Sequence, residues 1–348
     1  MINIIRIIPR MKLGGVEQGL LNEIKLINNV DGIKYHLFII ERSSIKISDT
    51  NKLSVIYLDA KFTHFYFIAK KINKYIKCNG LDNIVILSSL WKSHLITFFL
   101  GKYHRISFFH SSNYAHFLDR ICSRLAFHLH DRSIYDSCST RSIYDKNGTI
   151  IPYVFKVDDK PISEERNFRF VFIGRINKVK GLDRALLIIH QLKTLGVNPI
   201  FDIYGPDEGE VGKLKKLISS LGLNNNVFLK GELDPISVPC ILSKYTFYLQ
   251  TSYREGMGAS VILSQSIGLI PIITPVGELP NYCDESNSVL VKKFDDKTIA
   301  AVAKGIINII NDDYLFYKIK KNTLIASSNY QYFDDALLKF FHSLKSDL

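Results

Sequence analysis

The stretch VFIGRINKVKGLDRAL (171–186) decides the fold class of this chain. It reads as an apolar strand, a glycine-containing turn and an amphipathic helix. The same unit recurs along the 348 residues, because helical patterns alternate with apolar runs at 2–9, 34–40, 53–59, 83–89, 105–112, 168–174, 199–205, 226–231, 247–252 and 270–274. This alternation predicts parallel sheets covered by helices on both faces.

A charged stretch with two prolines at 151–169 interrupts the alternation and predicts a linker. We therefore predict an α/β fold of two Rossmann-like, doubly wound domains facing across a cleft. The N-terminal domain spans 1–160 and the C-terminal domain 161–327, and a helix at 328–348 packs back on the N-terminal domain. Ligands of open α/β sheets bind beyond the carboxyl ends of the strands, so the loops there should carry the chemistry.

Composition excludes several classes of protein. A chain that is 47% apolar is not disordered. It has no run of about 18 apolar residues, which excludes a membrane-spanning protein, and its start, MINIIRIIPRMK, lacks the features of a signal peptide. Five scattered cysteines without a Cys-x-x-Cys pair indicate a reducing compartment. We expect a cytoplasmic protein.

Positive charge is concentrated in the first half of the chain. Residues 1–160 hold 23 Lys and Arg against 13 Asp and Glu, whereas residues 161–348 hold 22 against 20. Such an excess favours an anionic partner: nucleic acid, lipid headgroups or a phosphate-bearing substrate. A Lys-, Ile- and Asn-rich composition without a functional patch is the alternative.

The segment FTHFYFIAKKINKYIK (62–77) allows two interpretations. Its apolar stripe is typical of a helix that covers a sheet. Its lysines, with Tyr66 and Phe67 beyond the stripe, suit a peripheral contact with an anionic membrane.

Three loops that follow predicted strands carry candidate chemistry. MKLGGVEQG (11–19) has Gly14 and Gly15 before a helix, which is either a plain turn or a close approach to an anion. In 171–186, Gly174 is followed by Arg175 and Lys180, two cations that can neutralise a diphosphate or form a solvated basic loop. TSYREGMGASVILSQSIG (251–268) places Glu255 at a turn, as a ligand for sugar hydroxyls or as a helix-capping carboxylate.

Together these motifs resemble the family 4 retaining glycosyltransferases (glycosyl transferases group 1) of the GT-B fold, of the bacterial surface-polysaccharide type. The resemblance covers most of residues 1–325 and is strongest over 168–292. Besides the three loops, it rests on IYG at 203–205, VFLKG at 227–231 and TPVGELP at 274–280.

The resemblance implies transfer of a sugar from a nucleotide-diphospho-sugar with retention of anomeric configuration. It implies that Arg175 and Lys180 hold the diphosphate, that Glu255 contacts the donor sugar and that His110 lies near that sugar. The implied donor- and phosphate-binding set is Gly14, Gly15, Gly174, Arg175, Lys180, Gly256, Met257, Gly258, Ala259 and Ser260. Since no Asp-x-Asp occurs in the chain, we expect a metal-independent reaction with no cofactor besides the donor.

One departure concerns the ribose side of the donor. The family usually carries a second glutamate eight positions after the first, where this chain has Leu263. Ser264 is adjacent but leaves a helix about 100° away. Loss of one such contact costs roughly 1–3 kcal/mol. Donor binding is therefore weaker, the ribose is held otherwise, or the chain has lost activity. A smaller departure is Asn281, where an acid is frequent.

The sequence thus predicts a glycosyltransferase that extends a lipid-linked surface glycan, as in O-antigen, lipopolysaccharide or capsule biosynthesis. It would work in the cytoplasm, at the inner face of the plasma membrane, with no nucleic-acid partner. A catalytically impaired nucleotide- or glycan-binding member of the same fold is the first alternative. A basic nucleic-acid-binding protein, with strongly salt-dependent affinity, is a remote one.

Overall fold

The computed structural model describes residues 1–11, 15–43, 46–110, 114, 116–144, 148–157 and 160–347. The chain folds into two compact units. Unit 1 comprises Met1–Lys156 together with Gln331–Leu348, and unit 2 comprises Val157–Tyr330.

The first part of the chain alternates strands and helices without a reversal of strand direction. Its elements are β1 Ile2–Ile8, α1 Gly15–Ile27, β2 Ile33–Ile39, β3 Leu53–Tyr57, α2 Phe65–Cys78, β4 Ile84–Ser89, α3 Leu90–Thr97, β5 His104–Phe109, α4 Phe117–Leu129, β6 Arg132–Tyr135, α5 Cys138–Tyr144 and β7 Thr149–Ile150. They form a seven-stranded parallel sheet in the order β3-β2-β1-β4-β5-β6-β7.

Unit 2 repeats this plan. Its elements are β8 Arg169–Ile173, α6 Leu182–Thr194, β9 Ile200–Tyr204, α7 Val211–Ser220, β10 Val227–Gly231, α8 Val238–Leu242, β11 Phe247–Gln250, α9 Ala259–Ser266, β12 Ile270–Ile273, β13 Val289–Leu290, α10 Asp296–Asn311 and α11 Asp313–Ser328. The sheet is parallel with the order β10-β9-β8-β11-β12-β13. The two parallel-sheet α/β domains confirm the predicted fold class.

Each sheet contains one position where the strand order changes direction, between β1 and β4 in unit 1 and between β8 and β11 in unit 2. The loops after these paired strands leave in opposite directions and open a crevice at the carboxyl edge of the sheet. All seven residues of β1 are buried, as expected of a central strand covered on both faces. The candidate site residues should therefore be sought at these two crevices.

Within the described residues, all ten apolar runs form strands, and three further strands occur that the sequence did not predict. The missed strands are β6, β7 and β13, with the sequences RSIY, TI and VL. They are short, and β6 begins with two half-buried polar residues, so no apolar run marks them.

Two helices bear on the sequence predictions for unit 1. In α2 the stripe of Ile68, Ala69, Ile72 and Ile76 is buried, while Tyr66 and Phe67 are exposed. The final helix, α12 (Phe333–Asp347), belongs to unit 1. Its apolar residues, including Phe333 and Phe340, join the core cluster formed by β1, β2 and α1.

No described helix is both long and apolar enough to cross a membrane.

Candidate functional sites

The crevice residues of unit 2 stand on two loops that are tied to each other. Gly181, at the start of α6, has φ +60°, and a Cβ there would lie 2.2 Å from the carbonyl oxygen of Thr251. The Thr251 hydroxyl donates to the Gly181 carbonyl at 2.7 Å, and the Tyr253 N–H donates to the Val179 carbonyl at 2.8 Å. Only glycine fits such a close approach in this backbone conformation. The loop after β8 is thereby held against the loop after β11.

The two loops bring Lys180 and Glu255 together. The Lys180 ammonium lies 2.5 Å from Oε1 of Glu255, and the same oxygen accepts a hydrogen bond from the Ser252 hydroxyl at 2.8 Å. The glutamate side chain is 7% exposed and that of the lysine 20%. A charge pair this shielded from water interacts more strongly than one on the surface. The lysine expected to hold the diphosphate and the glutamate expected to contact the donor sugar therefore form an ion pair.

Arg175 lies in the same loop but has a different partner. Its guanidinium contacts Oε1 of Glu208 at 3.1 Å, and Glu208 also accepts from the Asn177 side chain at 2.7 Å. The pKa of Glu208 is lowered by the hydrogen bond from Asn177, and the charges of Arg175 and Lys180 add to the effect. Glu208 was missed in the sequence, although it follows IYG at 203–205, one of the quoted motifs.

A third group of predicted residues surrounds the start of α9. Gly258 precedes the helix with φ +67°, and a Cβ there would lie 2.5 Å from Cδ2 of Leu279. The hydroxyl of Tyr282 donates to the Met257 carbonyl, which fixes the turn. Gly256 is exposed, and Ala259 and Ser260 are half-buried in the first helical turn. The first backbone N–H groups of a helix lack intrahelical acceptors and attract anions.

The Ser260 hydroxyl donates to Oε1 of Gln250 at 3.2 Å. Gln250 ends β11 and is buried, and its amide nitrogen has no hydrogen-bond partner among the described residues. Sequence reasoning missed this glutamine, because a polar residue at a strand end has no distinguishing pattern. It supplies a donor beside the first turn of α9.

The two residues of the predicted ribose side face different surroundings. Leu263 is half-buried and packs on the apolar cluster around Val261 and Leu279. Ser264 is fully buried, and its hydroxyl donates to the Val261 carbonyl at 2.7 Å. In this structure Ser264 therefore presents no free hydroxyl to a ligand.

Unit 1 contains a cavity of about 380 Å³ at its own crevice. It is lined by residues that follow β1, β4 and β5, including Arg10, Lys92 and His110, and by several aromatic side chains. The aromatic residues are Trp91, Phe108, Phe109, Tyr114 and Tyr144. Aromatic rings combined with a few polar groups are typical of a small-molecule site. Of the two glycines predicted here, Gly15 begins α1 and Gly14 lies outside the described residues.

Leu90, which lines this cavity, adopts φ +68° directly after β4. The left-handed region is strained for leucine, and such strain clusters at functional sites. The sequence gives no sign of it, because leucine rarely adopts this conformation. It turns the chain so that Trp91 and Lys92 line the cavity.

His110 follows β5, as the strand pattern predicts. Its Nε2 lies 2.8 Å from the Ser89 hydroxyl, and its Nδ1 has no partner among the described residues. The ring lies 4.2 Å from Phe108 and 4.9 Å, edge on, from Tyr153, measured between centroids. Burial holds the pKa of His110 well below its usual value, and the charge of Arg6 adds to this. His110 is therefore a neutral hydrogen-bonding group at neutral pH.

The charge that acts on His110 comes from the middle of β1. Arg6 is fully buried, and its Nε lies 3.3 Å from Oε2 of Glu23, whose other oxygen accepts from the Tyr35 hydroxyl. A buried pair of this kind is costly to break, because the remaining charge is left without a partner. In the sequence, this position is marked by a single arginine within the apolar run INIIRII.

The described residues contain no group of three or more His, Cys, Asp or Glu side chains that could hold a metal ion. Metal independence stays a prediction. The charged groups of unit 2 instead suit an anionic ligand, since Arg175, Lys180 and the start of α9 all offer donors.

The chain has recognisable relatives. Residues 155–325 match the family model described as glycosyl transferases group 1. An uncharacterised glycosyltransferase of Methanocaldococcus jannaschii is 27% identical over 163 residues, which are 45% of this chain and 40% of that protein. The poly(glycerol-phosphate) alpha-glucosyltransferase of Bacillus subtilis is 25% identical over 185 residues, 49% of this chain and 26% of that protein. The matched regions thus span between about a quarter and two fifths of these relatives.

Solved structures match the fold over almost the whole chain. The sucrose-phosphate synthase of Thermosynechococcus elongatus has a TM-score of 0.76 at 16% identity, with 99% of both chains covered. The Anabaena protein HepE, in complex with UDP and glucose, has a TM-score of 0.74 at 17% identity, with 99% of this chain and 100% of that chain covered. At these identities the likeness shows the GT-B fold alone. Residues 155–325 thus resemble glycosyl transferases group 1, and the fold of the chain resembles that of GT-B glycosyltransferases.

Proposed function

We propose that this protein transfers a sugar from a nucleotide-diphospho-sugar to a growing, lipid-linked surface glycan, with retention of anomeric configuration. The observation that carries the proposal is the Lys180–Glu255 pair at the crevice of unit 2, beside the start of α9. One cation for a diphosphate and one carboxylate for sugar hydroxyls suit the two halves of such a donor.

In the proposed reaction, the bond between the anomeric carbon and the diphosphate oxygen breaks as the oxygen of an acceptor hydroxyl bonds to that carbon, and the proton of this hydroxyl passes to the departing diphosphate. Negative charge collects on the departing diphosphate. Lys180 and Arg175 stabilise this charge together with the N–H groups after Glu255, because fixed donors aimed at developing charge lower the barrier. Each cation now faces a glutamate, so donor binding would exchange a carboxylate partner for a phosphate.

The nucleotide and the acceptor are proposed from the relatives. HepE was crystallised with UDP and glucose, which supports a UDP-sugar as the first donor to test. The Bacillus subtilis relative is a poly(glycerol-phosphate) alpha-glucosyltransferase, which supports a growing polymer as the acceptor. We assign His110 to the substrate as a neutral hydrogen-bonding residue, and we expect activity without a metal.

A catalytically impaired member of the fold is the second candidate. The observation that favours it is Leu263, which packs among apolar side chains where the family usually has a carboxylate. Such a protein would bind a nucleotide or a glycan without transferring a sugar.

The test is a thermal-shift panel with UDP, GDP, dTDP, ADP and CMP. Turnover is then measured with sugar donors that carry the nucleoside diphosphate that stabilises the protein. We expect one diphosphate to stabilise the protein, and Arg175→Ala and Lys180→Ala to abolish the shift. Lys178→Ala is the matched control, since Lys178 lies in the same short 3-10 helix with an exposed side chain. No shift with any nucleotide would refute the donor site, and a shift without turnover would favour the impaired member.

A further inference from the structure

Helix α4 of unit 1 has an exposed apolar face. Five large apolar side chains on it are between 38% (Ile121) and 74% (Phe117) exposed: Phe117, Leu118, Ile121, Leu125 and Leu129. At 100° per residue they fall within an arc of about 120° along the helix. The buried residues Cys122, Ser123, Ala126 and Phe127 form a separate arc. The exposed apolar face is therefore distinct from the face by which α4 packs against the rest of unit 1.

The exposed charged side chains of α4 are both positive. Arg120 and Arg124 are exposed and lie next to the apolar arc. Asp119 is the single acidic residue in the helix sequence, and it is half-buried and accepts a hydrogen bond from the Ser123 hydroxyl at 3.0 Å. An apolar face bordered by arginines complements a surface of negative headgroups over hydrocarbon.

The opposite side of α4 reaches the cavity of unit 1. Asp119 and Ser123 line that cavity together with His110. One helix thus joins the exposed apolar face to a polar and aromatic pocket. This suits an amphiphilic ligand whose polar head enters the pocket while its apolar part stays in a lipid layer.

From these contacts we infer that the exposed face of α4 docks on the surface of an anionic lipid bilayer, with its side chains among the headgroups and upper acyl chains. The inference deepens the proposed function and rests on it for the lipid-linked acceptor, which would then be presented to the cavity behind α4. It places the membrane contact on α4, where five large apolar side chains are exposed, and not on α2, where two are, Tyr66 and Phe67.

The test is co-sedimentation of the full chain with vesicles, without donor or acceptor. The vesicles contain phosphatidylcholine and phosphatidylglycerol at roughly two to one, or phosphatidylcholine alone. We expect binding to the anionic vesicles only, reduced at least about tenfold by Leu118→Ser/Leu125→Ser and by Arg120→Glu/Arg124→Glu. The matched control is Tyr314→Ser/Tyr317→Ser on α11 of unit 2, which removes two side chains that are 76% and 63% exposed.

Several outcomes would overturn the inference. They are absence of vesicle binding by the wild type, equal binding by the α4 variants, and loss of binding only in Tyr66→Ser/Phe67→Ser. A dimer that the α4 variants dissociate, without vesicle binding, would assign the face to a second copy of the chain. Melting temperature and the nucleotide thermal shift are measured on every variant. Unchanged values show intact folding, and they separate failure of the docking surface from failure of the donor site.

Discussion

The ammonium of Lys180 lies 2.5 Å from a carboxylate oxygen of Glu255, although 75 residues separate them in the sequence. The two residues follow neighbouring strands, β8 and β11, on either side of the point where the strand order of unit 2 changes direction. The proposed phosphate-binding cation and the proposed sugar-binding carboxylate thus form an ion pair with each other. Substitution of either residue therefore leaves the charge of the other without its partner.

Glu255→Gln separates binding from turnover. The amide keeps an acceptor for the Ser252 hydroxyl but releases Lys180 from its ion pair. We expect the affinity for UDP to be unchanged or higher and turnover to fall roughly 100-fold. Calorimetric titration and steady-state kinetics measure the two effects. A parallel loss of nucleotide affinity would show that Glu255 holds the nucleotide itself.

Leu263→Glu tests the missing ribose contact. If the ribose has no other carboxylate partner, the new side chain should improve donor binding by about 1–3 kcal/mol, read as a fall in the KM for the donor. Leu263→Ala is the control for lost apolar packing, because Leu263 contacts the cluster around Val261. An unchanged KM would indicate that another group holds the ribose.

Gly258→Ala should destabilise unit 2. The substitution places a Cβ 2.5 Å from Leu279 and 2.6 Å from the Tyr282 hydroxyl, at a positive φ. We expect a loss of about 2 kcal/mol in the free energy of unfolding and weaker donor binding, because α9 begins at this residue. At Gly256 a new Cβ would meet nothing within 4 Å. Gly256→Ala should therefore melt close to the wild type, and equal melting of the two variants would contradict the argument.

Buried histidines should make stability fall in mild acid. Burial lowers the pKa of His36 to about 4, with a further contribution from Lys34, and burial lowers that of His130 to about 4. Between pH 6.5 and 4 the unfolded chain takes up protons that the folded protein excludes, so stability decreases as pH falls. Each such histidine contributes about 1.4 kcal/mol per pH unit in this window.

The measurement is urea unfolding at several pH values. His36→Gln should reduce the pH dependence by about one proton. Only the slope is compared, since loss of the His36 contacts with Tyr75 and Asn3 lowers stability at every pH. Parallel slopes for the wild type and His36→Gln would refute the assignment.

The sequence predicted those parts of the fold that repeat. Ten strands were predicted because each is a run of apolar residues, and glycines mark the turns after β8 and β11. The positions of Arg175, Lys180 and Glu255 at strand ends follow from the same pattern.

Contacts between distant residues were not predictable. Glu208 as the partner of Arg175, and Gln250 beside Ser260, depend on which loops meet. The positive φ of Leu90 results from local packing. The exposed face of α4 was hidden because its apolar residues resemble those of any helix that covers a sheet. Only the structure separates its buried arc from its exposed one.

Helix α12 gives unit 1 a discontinuous sequence. The core of that unit includes Phe333, Phe340 and Leu344, yet the 174 residues of unit 2, Val157–Tyr330, come between them and Lys156. During synthesis, unit 2 is therefore complete before unit 1 can close its core. Until α12 is made, the apolar surface of α1 that it covers stays open to water and to chaperones. The two units therefore cannot be completed in the order in which they begin along the chain.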